Sequence, residues 1–197
     1  MSGFRKEKKF LTTTYDFHKF KNKLKYKMAK IIHPKRIISS TYFDNKLFSS
    51  YNDSEEGVVP RRKIRVREYP EQSDNSKLEI KISSIEGRYK TSNIINNVYK
   101  KKIYLEGYLD KFYGFCNPVI NVSYTREYFQ YNQIRLTFDS GIKYRSLKNI
   151  VFYDSYNVVE IKCNDLNIVE NYINEFNLKE SRFSKYCRGI KQVYFKN

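Results

Sequence analysis

The chain has no tryptophan and only two histidines, three cysteines, four prolines and seven glycines in 197 residues. Each shortage excludes something. Cys116, Cys163 and Cys187 are odd in number and form no CxxC pair, so neither a disulfide framework nor a thiolate zinc site is indicated. His18 and His33 lie in or beside a lysine-rich segment and read as surface residues, which removes histidine metal sites and Ser-His-Asp chemistry. Few glycines and prolines argue against a linker-rich chain. No apolar run approaches the ~18 residues of a membrane span, and no signal-peptide pattern opens the sequence. A soluble, cytoplasmic protein is expected. Acidic residues are also short, at 21 against 38 Lys and Arg, for a net charge of +17. That imbalance predicts a polyanionic partner: nucleic acid, anionic lipid or a phosphate chain.

What is present is aromatic and strongly patterned. With 19 Tyr and 14 Phe the chain is too aromatic for a disordered basic tail. Its length suits one domain, residues 1–197, with a real core. The sequence is organised around residues 61–69, RRKIRVREY. Read as a strand, Arg61, Lys63, Arg65 and Arg67 line one face, and Ile64 and Val66 the other. Like charges repel, so a fold that keeps four of them in a row usually offers them an anion.

The pattern recurs along the chain. Residues 4–11 read as a strand with Arg5, Glu7 and Lys9 on one face. Residues 12–14 supply a helix N-cap, and 15–30 a first helix that buries Phe17, Phe20, Leu24 and Met28. Its lysine-rich face suits a nucleic acid, a membrane or plain solvent. After a break at Pro34, residues 36–44 form a strand, 45–60 a polar loop and 70–76 a turn. In 77–82, Lys77, Glu79 and Lys81 oppose Leu78, Ile80 and Ile82, and 87–90 returns as a hairpin. A second helix is expected over 98–113, using Ile103, Leu105, Tyr108, Leu109 and Phe112. Strands resume in 119–129, where Tyr124 and Arg126 share a face, in 133–139 (Arg135, Thr137, Asp139) and in 157–163 (Glu160, Lys162). A third helix begins at Asp165, capped by Asn164 or Asp165, and 192–195 closes the chain as a strand.

Two architectures fit. An open antiparallel sheet with one wet side alternates this way. A closed sheet would turn the charged face into a lumen with a concentrated positive potential. Arg forks and Lys point charges suit phosphate oxygens, and scattered acids would then hold a bridging divalent cation.

The ordered motifs resemble the VTC domain, the polyphosphate polymerase branch of the triphosphate tunnel metalloenzymes. They are Arg5-x-Glu7-x-Lys9, Thr41-Tyr42-Phe43-Asp44, Lys63-x-Arg65-x-Arg67, Leu78-Glu79-Ile80-Lys81, Tyr124-x-Arg126, Arg135-x-Thr137-x-Asp139, Val159-Glu160-Ile161-Lys162 and Ser184-Lys185-Tyr186 with Gly189. The resemblance implies an α+β fold: a closed antiparallel β-barrel tunnel of about eight strands with a basic lumen, flanked by about three helices. It implies transfer of the γ-phosphoryl group of ATP to a growing polyphosphate chain, assisted by a divalent metal, manganese or magnesium. The catalytic residues implied are Arg65, Arg67, Arg126 and Lys185. Lys9, Lys81, Lys90, Lys162 and Arg182 join them as phosphate ligands. Glu160 is the implied metal carboxylate, and Tyr124 a nucleotide or acceptor contact. The partners implied are ATP and polyphosphate, not nucleic acid, and any membrane coupling would come through a membrane-protein partner. Hydrolytic relatives open with two acids in an ExExK strand. Arg5 stands at the first of these places, which favours the polymerase branch over a triphosphatase. A non-catalytic polyanion- or nucleic-acid-binding domain is the remaining alternative.

Overall fold

Alternating apolar and polar residues become strands nearly wherever the sequence predicts them. The computed structural model describes residues 6–71, 76–163, 170, 172–173 and 178–195. Among these are ten strands: β1 (Lys6–Thr12), β2 (Lys30–Asp44), β3 (Arg61–Glu68), β4 (Ser76–Ser83), β5 (Arg88–Ile95), β6 (Tyr108–Asp110), β7 (Gly114–Tyr131), β8 (Ile134–Ser146), β9 (Val151–Tyr153) and β10 (Asn157–Cys163). Four helices join them: α1 (Thr14–Tyr26), α2 (Ser49–Glu56), α3 (Asn97–Glu106) and α4 (Lys185–Tyr194). The fold is therefore α+β, built on one large sheet. Its hydrogen-bonded order is β1-β10-β8-β7-β2-β3-β4-β5, with β6 on β7 and β9 on β8. The pairings β1–β10, β10–β8, β2–β3, β3–β4, β4–β5 and β6–β7 are antiparallel.

This order has two ends, β1 and β5, so the expected closed barrel is corrected to an open sheet. The outer edge of β1 is already used: Phe10 bridges Glu180, and the Ser181 amide donates to the Lys9 carbonyl at 2.9 Å. Strand β5 is exposed along nearly its whole length and carries Arg88 and Lys90, as a protected sheet edge does.

The chain falls into two compact units, and β2, β7, β8 and β9 contribute residues to both. The first comprises Met1–Arg36, Tyr124–Ile142 and Tyr153–Phe183. Its core sets Phe17, Phe20 and Leu24 of α1 against Phe10, Phe129, Leu136, Phe138, Val159 and Ile161. Helix α1 is capped as predicted, with the Thr13 hydroxyl accepting from the Asp16 amide at 3.1 Å. It ends sooner than expected, at Tyr26, and Met28 is exposed in the left-handed region (φ 58°). Strand β2 then runs through Pro34, which sits in the exposed start of the strand and causes no break. Most of the third predicted helix, with Leu166 and Val169, lies outside the described residues, as does Arg5; Tyr172 and Ile173 are helical.

The second unit comprises Ile37–Ser123, Lys143–Phe152 and Ser184–Asn197. Phe43, Ile64, Val66, Leu78, Ile80, Ile95, Ile103 and Cys116 form a core there. Three predictions fail within it. Residues 45–60 hold α2 instead of a loop, because side chains take its first amides. Asp44 accepts from Ser50 and Tyr51, each at 3.0 Å, and Asn45 accepts from Leu47 and Ser49. The helix expected over 98–113 is only α3, which stops at Gly107 (φ 86°). A Cβ on Gly107 would lie 2.9 Å from Asn117 Oδ1 and 3.1 Å from the Cys116 carbonyl, so the chain turns there into β6. The closing segment is α4, not a strand. The Ser184 hydroxyl caps it, and Tyr186, Cys187, Gly189 and Ile190 are buried.

Gly189 is present for space. A Cβ would meet Tyr144 Cδ1 at 2.6 Å and Ile120 Cδ1 at 2.7 Å, both on fully buried side chains. Gly189→Ala is expected to destabilise the fold by about 1–3 kcal/mol through overpacking. Thermal unfolding reads this as a lowered Tm. An unchanged or raised Tm would show that α4 simply moves outward.

Candidate functional site: two buried clusters of paired charge

Each unit turns its apolar strand face to its core and gathers charge on the other face. In the second unit the register places Tyr42, Arg65, Glu79 and Ser92 in one row across β2, β3, β4 and β5. Ser40, Arg67 and Lys77 form the row on one side of it, and Lys63, Lys81 and Lys90 the row on the other. Cross-strand partners share a face, so the alternation read from sequence becomes a cationic surface two strands and more across.

Glu79 organises this surface. Its Oε2 accepts from Arg65 Nε at 2.8 Å and Nη2 at 2.5 Å, and Arg67 Nη1 stands 3.7 Å away. Its Oε1 accepts from Lys90 at 3.1 Å. Arg65 donates further to the Tyr42 hydroxyl (3.0 Å), and Arg67 to the Ser40 hydroxyl (3.3 Å). Arg65, Arg67 and Glu79 are all buried, while Lys90 is half-exposed and Lys81 exposed. Burial pushes the Glu79 carboxyl up, but Arg65 and Arg67 override it and hold the group down at about 2. Burial also raises the Tyr42 phenol, and Arg65, Arg67 and Lys185 outweigh it and lower the pKa.

The lowered Glu79 pKa makes a stability prediction. A folded-state pKa below the ordinary 4.5 contributes stability that is complete above that value and is lost as pH falls toward about 2. Glu79→Gln is expected to flatten this acid limb. Chemical unfolding from pH 6 down to about pH 2 tests it. An acid limb as steep as in the unsubstituted protein would show that the Glu79 ion pairs carry no net stability.

The Ser-Lys-Tyr motif enters the second unit through α4. Tyr186 stacks on Tyr42 with ring centres 4.9 Å apart, and its hydroxyl donates to the buried Asp44 carboxylate in a short hydrogen bond. Lys63 donates to the Ser184 hydroxyl at 3.1 Å. Lys185 is half-buried near enough to Tyr42 to lower its pKa.

The first unit carries a cluster of its own on β1, β10, β8 and β7. Arg126 forks onto Asp139, with Nε–Oδ1 at 2.5 Å and Nη2–Oδ2 at 2.7 Å, and Nη2 lies 3.7 Å from Glu160 Oε2. Lys162 meets Glu160 at 2.6 Å and Glu7 at 3.3 Å, and Lys9 meets Glu7 at 3.3 Å. Burial would raise the Glu160 carboxyl, but Arg126, Lys162 and Lys9 hold it well below its ordinary range. The Arg126 guanidinium also lies 5.3 Å from the ring centre of the buried Tyr124.

The structure thus gathers Arg65, Arg67 and Lys90 around Glu79, with Lys81 in the adjacent row. It gathers Lys9, Arg126 and Lys162 around Glu160. Arg182 is exposed, one residue before Phe183, whose carbonyl accepts from Lys9 at 3.3 Å. Glu79, Asp139 and Glu7 stood in the sequence motifs as acids on the charged faces but were given no site role of their own. Their shared face with the basic residues was visible in the alternation, but which cation each one meets was not.

Among the described residues no three His, Cys, Asp or Glu side chains converge as a metal cage would require. Glu160 is buried and ionised but stands among protein cations. This donor set fits a hard divalent cation only as one carboxylate shared with substrate phosphate oxygens, a common arrangement for magnesium.

The VTC domain family model matches residues 4–194. The chain belongs to the VTC domain family. Solved structures share the fold of this VTC domain at low identity. A putative adenylate cyclase from Bacillus halodurans aligns with a TM-score of 0.67 at 13% identity, over 98% of each chain. A conserved hypothetical protein from Pyrococcus furiosus gives 0.60 at 14%, over 93% of this chain and 99% of that one. A chain in the Schizosaccharomyces pombe Mediator head module gives 0.56 at 8%, over 89% and 96%. No curated protein matches this chain. At these identities the likeness establishes fold alone, and function rests on the charged clusters.

Proposed function

We propose that this VTC domain is a polyphosphate polymerase: it transfers the γ-phosphoryl group of ATP to the end of an inorganic polyphosphate chain. The observation that carries this reading is the buried Arg65–Glu79–Arg67 arrangement. Two guanidinium groups are held in fixed orientation by a carboxylate that remains ionised at neutral pH. Phosphoryl transfer asks little covalent chemistry of a protein. It asks for alignment of the attacking and leaving oxygens and neutralisation of charge on the equatorial oxygens.

A terminal phosphate oxygen of the acceptor attacks the γ-phosphorus, the bond to the β-phosphate bridging oxygen breaks, and ADP leaves. Arg65, Arg67, Arg126 and Lys185 are the proposed catalytic residues, each neutralising phosphoryl charge within the cluster of its own unit. Lys9, Lys81, Lys90, Lys162 and Arg182 bind further phosphates, and Tyr124 contacts nucleotide or acceptor. Glu160 would hold a manganese or magnesium ion, which supplies charge neutralisation on phosphate oxygens when bound. No histidine or serine nucleophile is needed, in keeping with a surface made of forks and point charges.

Incubation of the purified protein with ATP and manganese tests the proposal, products being separated by gel electrophoresis. A ladder of long phosphate chains is expected. Orthophosphate alone would mean a triphosphatase, and no turnover with retained polyphosphate binding would mean a binding module.

A further inference from the structure

A feature that belongs to neither charged cluster bears on where the protein works. Residues 15–36 hold eight Lys and Arg residues against Asp16 alone, a net +7 of the whole chain's +17. Helix α1 buries Phe17, Phe20 and Leu24, so Tyr15, Lys19, Asn22, Lys23 and Tyr26 form its outward ridge. Just beyond this ridge, Tyr26, Met28 and Ile31 are 90, 86 and 68% exposed. Single exposed apolar residues are ordinary, but three within six positions, each mostly in water, are not. Met28 also occupies a left-handed backbone position (φ 58°), where glycine or asparagine is the usual residue. A flexible apolar side chain is thus presented outward at some conformational cost. Lys23, Lys25, Lys27 and Lys30 are interleaved with it.

We propose that the turn from α1 into β2 is a docking surface for an anionic lipid bilayer. Tyr26, Met28 and Ile31 enter the boundary between headgroups and acyl chains, and the surrounding lysines lie against acidic headgroups. The alternation of aliphatic tips with lysines selects lipid over nucleic acid. A nucleic acid would use the lysines and could stack on Tyr26, but it offers no medium for Met28 and Ile31. Peripheral contact of this kind needs no spanning segment, and among the described residues no helix is long and apolar enough to cross a membrane. The inference is independent of the phosphoryl-transfer reading.

The test uses the full chain. It has no tryptophan, so Tyr26→Trp installs a single reporter at the tip. Vesicles of phosphatidylserine and phosphatidylcholine are expected to sediment the protein and to shift the reporter's emission to the blue. Phosphatidylcholine vesicles, single-stranded DNA and free polyphosphate are expected to leave the emission unchanged. Lys19→Gln with Lys25→Gln and Lys30→Gln should weaken vesicle binding roughly a hundredfold. Met28→Ser with Ile31→Ser should weaken it roughly tenfold or more. Neither set touches the Glu79 or Glu160 clusters, so ATP turnover in solution is expected to stay unchanged. Vesicle binding indifferent to the Met28 and Ile31 changes would overturn the proposal, leaving a merely basic surface. So would a blue shift with DNA or polyphosphate equal to that with lipid, or no sedimentation with anionic vesicles.

Discussion

Arg65→Ala is expected to reduce polyphosphate synthesis by a factor of about 10²–10³, the usual cost of removing one fixed donor aimed at developing charge. It should also cost stability. Glu79 is buried, and Arg65 supplies two of its closest contacts, at 2.5 and 2.8 Å. Removing the guanidinium leaves that carboxylate to Arg67 and Lys90, the latter half in solvent. Breaking a buried pair from one side costs about 3–5 kcal/mol when nothing else compensates, so the two remaining cations should keep the loss toward the low end or below. Arg65→Ala with Glu79→Gln separates the effects: stability should largely return while synthesis stays low. Chain-ladder yield and Tm on the two variants make the measurement. Synthesis that recovers together with stability would show that Arg65 acts only as a structural partner of Glu79.

Glu160→Gln has the second large effect, with binding and turnover moving in different directions. The substitution removes a negative charge from among Arg126, Lys162 and Lys9, so polyphosphate should bind as tightly as before or more so. Turnover with manganese should nevertheless fall by about 10² or more, because the proposed carboxylate for the cation is gone. The free variant should be less stable, since three cations have lost a buried counter-charge. Added polyphosphate should raise its Tm more than it raises that of the unsubstituted protein. Polyphosphate binding and synthesis both unaltered would remove Glu160 from the mechanism.

Strands were legible in the sequence because a strand's period of two is written directly into residue order. Residues 61–69, 77–82 and 157–163 alternate cleanly and emerge, within a residue at either end, as β3, β4 and β10. The identity of the charged face was equally plain, since Arg65, Arg67, Glu79 and Lys81 stand opposite Ile64, Val66, Leu78 and Ile80. Helices α2 and α4 were missed for a common reason: their starts depend on capping. Asp44 and Asn45 cap α2 from outside it, and α4 opens on Ser184, where Tyr186 reaches Asp44, 142 residues away in sequence. The long helix expected to reach 113 was cut at Gly107, whose positive φ (86°) takes the chain out of the helix.

Sequence alone therefore determined the periodic elements, the excess of positive charge and the sorting of that charge onto one face of each strand. These are local properties, set by spacing along the backbone. Tertiary structure decided which carboxylate meets which cation, and that β1 spends its outer edge on residues 180–181, leaving the sheet open. Those outcomes depend on register, both between strands far apart in the chain, as in the Lys9–Glu160 pairing, and between neighbouring strands, as in Arg65–Glu79, and no periodicity encodes register.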